Sequence, residues 1–248
     1  SNRARADPGD FNDAEFMFNG ETSRFFMKDE VFMVNTEGTD GSLKDFEIKY
    51  TFGLTPLQQY LVEFQDGRVQ ALGIAWDTRP ESSGGQRWFH LYPGQTIRAG
   101  DELHWTGLQQ NWNYMCADCH STKLEKGYNS TSNTYQTTWS EINVGCESCH
   151  GPGEQHLDWA KQDEPRKQEN GSMGLAFLLH DRKNVGWVMD PGTGTAHRSK
   201  PVTTNREIDV CAACHSRRGQ FKSGIESDGT FLDYYRPALL TAELYHTD

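Results

Sequence analysis

The sequence has no long apolar run, no excess of positive charge and no cysteine to spare for a disulfide. No stretch approaches the roughly 18 apolar residues that a transmembrane helix needs, which predicts a chain without a membrane span. There is no apolar leader and no initiating Met, which predicts a mature or excised chain. Lys and Arg number 24 against 35 Asp and Glu, a formal net charge of -11. That sign argues against nucleic acid and anionic membranes as partners. Apolar residues make up only 35%, yet there are 7 Trp, 9 Tyr and 13 Phe. Few aliphatic but many aromatic side chains suit a core built partly from flat cofactors. At 248 residues the chain is long enough for one or two domains.

The first hundred residues read as strands. β-rich runs surround Phe25, Val31 to Val34 and Phe46 to Phe52, broken by Gly38-Thr39-Asp40-Gly41. "QYLVEFQDGRVQALGIAW" is a stronger hairpin signal, with Asp66-Gly67 between two β-prone runs. Tyr128 to Tyr135 reads as another hairpin. Beyond Gly145 regular signals thin out, with one short helix expected near "EQHLDWA" and mostly turn formers over residues 181 to 210. The fold class expected is α+β and loop-rich. A β-rich part over 1–105 leads into a region over 106–248 with little regular structure.

All 6 cysteines lie in Cys-x-x-Cys pairs followed at once by His: Cys116/Cys119/His120, Cys146/Cys149/His150 and Cys211/Cys214/His215. Chance placement would give about 0.005 such pentapeptides. The pattern is the attachment signature of haem c. Two thiols add across the two vinyl groups, and the adjacent His supplies the proximal iron ligand. A single pair could be a dithiol redox site or half of a zinc site. Zinc needs pairs of pairs, however, and gives no reason for His after each second Cys. Three haems c are therefore expected.

Several stretches resemble a family of bacterial secreted multihaem cytochromes c, many of whose members carry tetratricopeptide repeats. They include "YTFGLTPLQQYLVEFQDGRVQAL", "GGQRWFHLYPG", "LHWTGLQQNWNYMCADCHST", "TTWSEINVGCESCHGPGEQH" and "DVCAACHSRRGQ". The resemblance covers nearly the whole chain. It implies covalent haem, and a place in the periplasm or outside the cell.

Six histidines remain for the distal positions. His156 follows a Gly-Pro-Gly turn, as in multihaem families where that residue ligates a neighbouring haem. His90 in "RWFHLYPG" and His104 in "ELHWTG" sit among aromatics that suit a ligand. His246 in "LYHTD" is a candidate for a haem of this chain or of a neighbouring subunit. His180 and His197 look like surface residues. Met17, Met27 and Met33 are expected in the core, so both axial positions of every haem are assigned to His.

These observations favour an electron-transfer protein, in which electrons hop between three closely spaced haems and reach redox partner proteins. Self-association through stacked haems is a further expectation. The alternative is a multihaem oxidoreductase acting on a small nitrogen or sulfur compound at an open haem. No residue of the sequence marks a catalytic group for it, so the enzyme assignment stays open.

Overall fold

The computed structural model describes residues 8–164, 171–223 and 229–238. They divide into two compact units. The first comprises residues 1–120 and 126–143; the second comprises 121–125 and 144–248.

The first unit is built from two antiparallel four-stranded meanders. One runs β1 (Ala14–Phe18), β2 (Glu21–Lys28), β3 (Val31–Glu37) and β4 (Leu43–Glu47). The other runs β5 (Tyr50–Phe52), β6 (Leu57–Glu63), β7 (Val69–Asp77) and β8 (Arg87–His90). Tight turns set the registers. Asn19-Gly20 joins β1 to β2 with φ of 52° and 85°, and Asp29-Glu30 joins β2 to β3 with φ of 50° and 63°. These left-handed pairs match the strand twist, as hairpins of this length require. Asp66-Gly67 joins β6 to β7. A Cβ on Gly67 would lie 2.1 Å from the Tyr135 carbonyl oxygen, so glycine is needed there for approach as well as for its φ of 79°.

The core of this unit is aromatic. Trp88 stacks on Phe25 at 3.6 Å and 8°. Phe11 meets Phe25, Phe32, Tyr60 and Trp88 edge-on. Every residue of β7 is buried, so both of its faces are covered, whereas β1 alternates. Met17 and Met27, expected in the core, stand exposed on β1 and β2. The pleat puts Phe16 inward in place of Met17, because side chains alternate along a strand, while Met27 lies next to the end of β2. A two-stranded ribbon, β9 (Tyr128–Asn129) and β10 (Thr134–Tyr135), completes the unit.

The second unit has less regular structure and a smaller core. Helices span Glu147–His150, Glu154–Ala160, Arg206–His215 and Phe231–Tyr234. Two ribbons accompany them, β11 (Trp187–Asp190) with β12 (Thr195–Arg198), and β13 (Arg218–Gln220) with β14 (Tyr235–Pro237). Residues 181–210, expected as turns, thus contain a hairpin and the start of a helix. The hairpin closes on Asp190, whose Oδ1 accepts from the Gly192 N–H at 2.8 Å. Phe231, Tyr234 and Tyr235 form a small cluster against Ala212 and Ala213.

Candidate haem attachment sites

The sequence spacing becomes geometry at each motif. Cys116 closes the short helix Trp112–Met115 and precedes the next, Ala117–His120. Its carbonyl accepts from the N–H groups of Cys119 (3.2 Å) and His120 (3.1 Å). Cys146 repeats this with Cys149 (3.2 Å) and His150 (2.9 Å). Cys211, Cys214 and His215 occupy the last turn and a half of the helix Arg206–His215. Helical positions i, i+3 and i+4 share one face. Each motif therefore presents two thiols and an imidazole on the same side. All 6 thiols are free of disulfides. This donor set fits a haem held by two thioethers and one axial nitrogen. Among the described residues no group of three or more metal-ligating side chains forms a metal site.

The first motif is pinned to the β-sheet unit by the residues before it. Asn111, Trp112 and Asn113 are essentially fully buried. The Asn111 side chain caps its helix by accepting from the Tyr114 N–H at 2.9 Å. Asn113 Oδ1 accepts from the Val69 N–H at 2.6 Å, and its Nδ2 donates to the Gly67 carbonyl (3.2 Å) and Thr137 Oγ1 (2.8 Å). Trp112 packs edge-on against Trp139 at 5.4 Å. Burial, and then the neighbouring Cys119, push the Cys116 thiol up to about 11. His120 is exposed and lies 5.5 Å from the Phe52 ring.

In the second unit the axial orientation of His150 is set by the backbone. Its Nδ1 lies 2.9 Å from the Phe177 carbonyl oxygen. Nδ1–H donates to that carbonyl, which leaves the Nε2 lone pair for a metal. The Phe177 N–H returns to the His150 carbonyl at 3.2 Å. His156, on the helix Glu154–Ala160, has the same arrangement, with Nδ1 2.8 Å from the Met173 carbonyl oxygen and its ring stacked on Trp159 at 5.3 Å. Gly174 permits this. With φ of 71°, its Cβ would lie 2.3 Å from the Gln155 carbonyl oxygen. Thr122, fully buried, receives the Gly145 N–H at 2.8 Å and so fixes the entry to the second motif.

His90 and His104 are placed differently. They line one small cavity of about 50 Å³ with Phe18, Glu37, Gly73 and Trp105, and no cysteine lines it. Such a volume takes a few waters. The His90 ring stacks on Phe18 at 3.7 Å, and its Nδ1 accepts from the Tyr92 N–H at 3.1 Å. His104 Nδ1 lies 2.8 Å from Thr106 Oγ1, and its Nε2 lies 3.7 Å from Glu37 Oε2. A neutral ring whose Nδ1 accepts carries its proton on Nε2, so that nitrogen offers no lone pair. Burial lowers both pKa values and favours the neutral rings. His197 Nε2 lies 3.4 Å from Thr195 Oγ1 and 3.6 Å from Asp190 Oδ2. His246 lies outside the described residues.

Residues 94–151 match the model of a family described as cytochrome c554 and c-prime. This match supports a c-type cytochrome with covalently bound haem and a role in electron transfer. It spans the first two motifs, while the third, Cys211 to His215, lies outside it. No curated protein and no solved structure matches the chain. Among the described residues no helix is long and apolar enough to cross a membrane.

The Phe177 and Met173 carbonyls, which orient two of the imidazoles, were not among the sequence candidates. No side-chain signal could have revealed them, because any residue supplies a carbonyl.

Proposed function

We propose that the protein is a multihaem electron carrier with three covalent haems, at Cys116/Cys119/His120, Cys146/Cys149/His150 and Cys211/Cys214/His215. The observation that carries this reading is the threefold recurrence of two thiols outside any disulfide and an imidazole on one helical face. Bound haem supplies one-electron chemistry, its iron alternating between the ferric and ferrous states. The protein supplies tethering and orientation. Each Cys pair fixes one edge of the macrocycle, and each motif His holds one axial position. The Phe177 carbonyl holds His150 in the tautomer with a free Nε2, and the Met173 carbonyl does the same for His156. His156 is accordingly the best-oriented distal candidate of those chosen from the sequence.

The reading further places the protein in the periplasm or outside the cell, where thioether attachment is made. A net charge of -11 suits a basic redox partner. His246 remains a candidate bridge to a second copy, with stacked haems, as a further part of the proposal.

Intact mass and a denatured spectrum test the core of the proposal. The expected result is a red polypeptide heavier by three haems. A colourless chain would end it. Carbon monoxide should leave the reduced native spectrum nearly unchanged, as expected for irons with both axial positions filled. Full binding at one haem would favour the oxidoreductase reading instead.

A further inference from the structure

We propose that a cleft in the second unit binds a small organic anion, one that carries two or more carboxylate or phosphate groups on an apolar body. Among the described residues no cysteine and no motif histidine lines this cleft, so it is separate from the attachment sites and does not house a covalently held haem. Such a site lies outside the electron-carrier reading and stands without it.

The cleft has a volume of about 680 Å³, within the range of roughly 300–1,000 Å³ usual for small-molecule pockets. That space is far larger than a single inorganic ion fills. Its charge is mostly of one sign. Lys183, Lys200 and Arg206 line it, against the one carboxylate of Asp181. Asp181 Oδ2 lies 3.5 Å from the Glu207 N–H, which draws that charge toward the backbone. The chain around the cleft has the same bias. Residues 181–206 hold Arg182, Lys183, Arg198, Lys200 and Arg206 against Asp181 and Asp190 alone, in a protein whose formal net charge is -11.

A solvated face usually intersperses both signs. Here three cations converge on one concavity, whose walls focus their field. Lys183 and Lys200 form no ion pair among the described residues. The neighbouring Arg182 is by contrast taken by Glu207. Arg206 is fixed in advance. Its guanidinium donates to the Gly229 carbonyl at 2.7 Å and lies 4.9 Å from the Phe177 ring centroid. The planar fork is therefore held at the cleft before any ligand arrives. Thr204 Oγ1 accepts from the Arg206 N–H at 3.0 Å, which leaves its own O–H to donate.

The rest of the lining decides what kind of anion fits. Leu178, Val185 and Pro201 offer apolar surface beside the cations. A hydrated phosphate would leave that surface wet and would screen the cations incompletely. A molecule with several anionic groups on an apolar or aromatic body covers both.

The test uses the protein as isolated and three probes at fixed ionic strength: benzenetricarboxylate, its neutral tricarboxamide and inorganic phosphate. Titration calorimetry should show saturable one-to-one binding of the tricarboxylate, at least about tenfold tighter than phosphate, and no binding of the tricarboxamide. Raising the salt should weaken it. The double variant Lys183→Ala/Lys200→Ala should lose affinity by about tenfold or more, while Lys28→Ala on β2 should lose none. Hydrogen exchange needs no variant. The tricarboxylate should slow exchange at amides of residues 176–185 and 200–206 and leave β2 and β3 unchanged. Equal affinity for phosphate and tricarboxylate would mean general attraction of anions and overturns the assignment. So does a tricarboxylate that fails to bind, binds the double variant unchanged or leaves those amides unaltered.

Discussion

The two units achieve order by different means. The first closes two meanders over an aromatic cluster that includes Phe11, Phe25, Tyr60, Trp76, Trp88 and Trp105. It carries one Cys-x-x-Cys-His motif, clamped at its edge by Asn111 and Asn113. The second unit carries two motifs. Its buried apolar side chains among the described residues are Leu124, Phe177, Val210, Phe231, Tyr234 and Tyr235. Ile208, Phe221 and Leu232 stand exposed there, each at 65% or more. A segment with so little apolar burial cannot offset the entropy of ordering its backbone unaided. On the proposed reading, haem is an accessory to the first unit and a structural component of the second, much as structural zinc sites couple binding to folding.

The largest effect that would break this comparison concerns haem-free protein. With all six cysteines replaced by Ala, amides of residues 144–164 and 171–223 should lose hydrogen-exchange protection by about a hundredfold or more, while β2, β3, β6 and β7 keep theirs. Equal protection in both units would remove the contrast. Next in size, Trp88→Ala in the loaded protein should cost the first unit about 3–5 kcal/mol, read as a lower melting transition of its amides. The haem spectrum of the second unit should not follow it.

The comparison sharpens at the first motif. In haem-free protein with its cysteines intact, the Cys116 thiol, raised from 9.0 to about 11, should show about a hundredfold less thiolate near neutral pH than an ordinary thiol. Site-resolved alkylation should therefore find it slow beside the exposed Cys146 and Cys214. Rapid labelling of Cys116 would mean that the first unit does not close without haem. Asn113→Ala should cost about 1–3 kcal/mol, because it strands the buried Val69 N–H. It should loosen only the first attachment site.

The smallest effect is a pH dependence confined to the first unit. Burial depresses the folded pKa of His90 and His104 below the ordinary 6.5. The unfolded chain then binds more protons in that window. Stability is complete above about pH 7, falls as pH drops through 6.5, and levels off below the folded values. The groups facing these rings are Glu37, Asp101 and each other. His104→Gln should flatten the melting profile between pH 7 and pH 5, and a slope unchanged by that substitution would contradict the assignment.

The sequence by itself determined the attachment chemistry. Thiols three residues apart with His next in line share a helical face whatever surrounds them, because the spacing of a single turn is local. The Asp66-Gly67 hairpin and the strands around Phe25, Val34 and Phe46 were legible for the same reason, since alternation and turn chemistry act between near neighbours. Helix Arg206–His215 and the ribbon β11–β12 were not legible. Their residues carry weak periodicity and depend on distant partners, such as the Asp209 carboxylate that accepts the Phe231 N–H at 3.0 Å.

Tertiary structure alone decided what surrounds each spare histidine. His90 and His104 sit among aromatics, and local context made them attractive. Folding instead gave them a shared cavity in the β-sheet unit and occupied their Nδ1 atoms as acceptors. His156, already marked in sequence by the Gly-Pro-Gly turn before it, has its Nδ1 held by the distant Met173 carbonyl. Ligand capacity depends on which ring nitrogen is free and what space lies before it. Both are set by groups far away in the chain, and no window of sequence contains them.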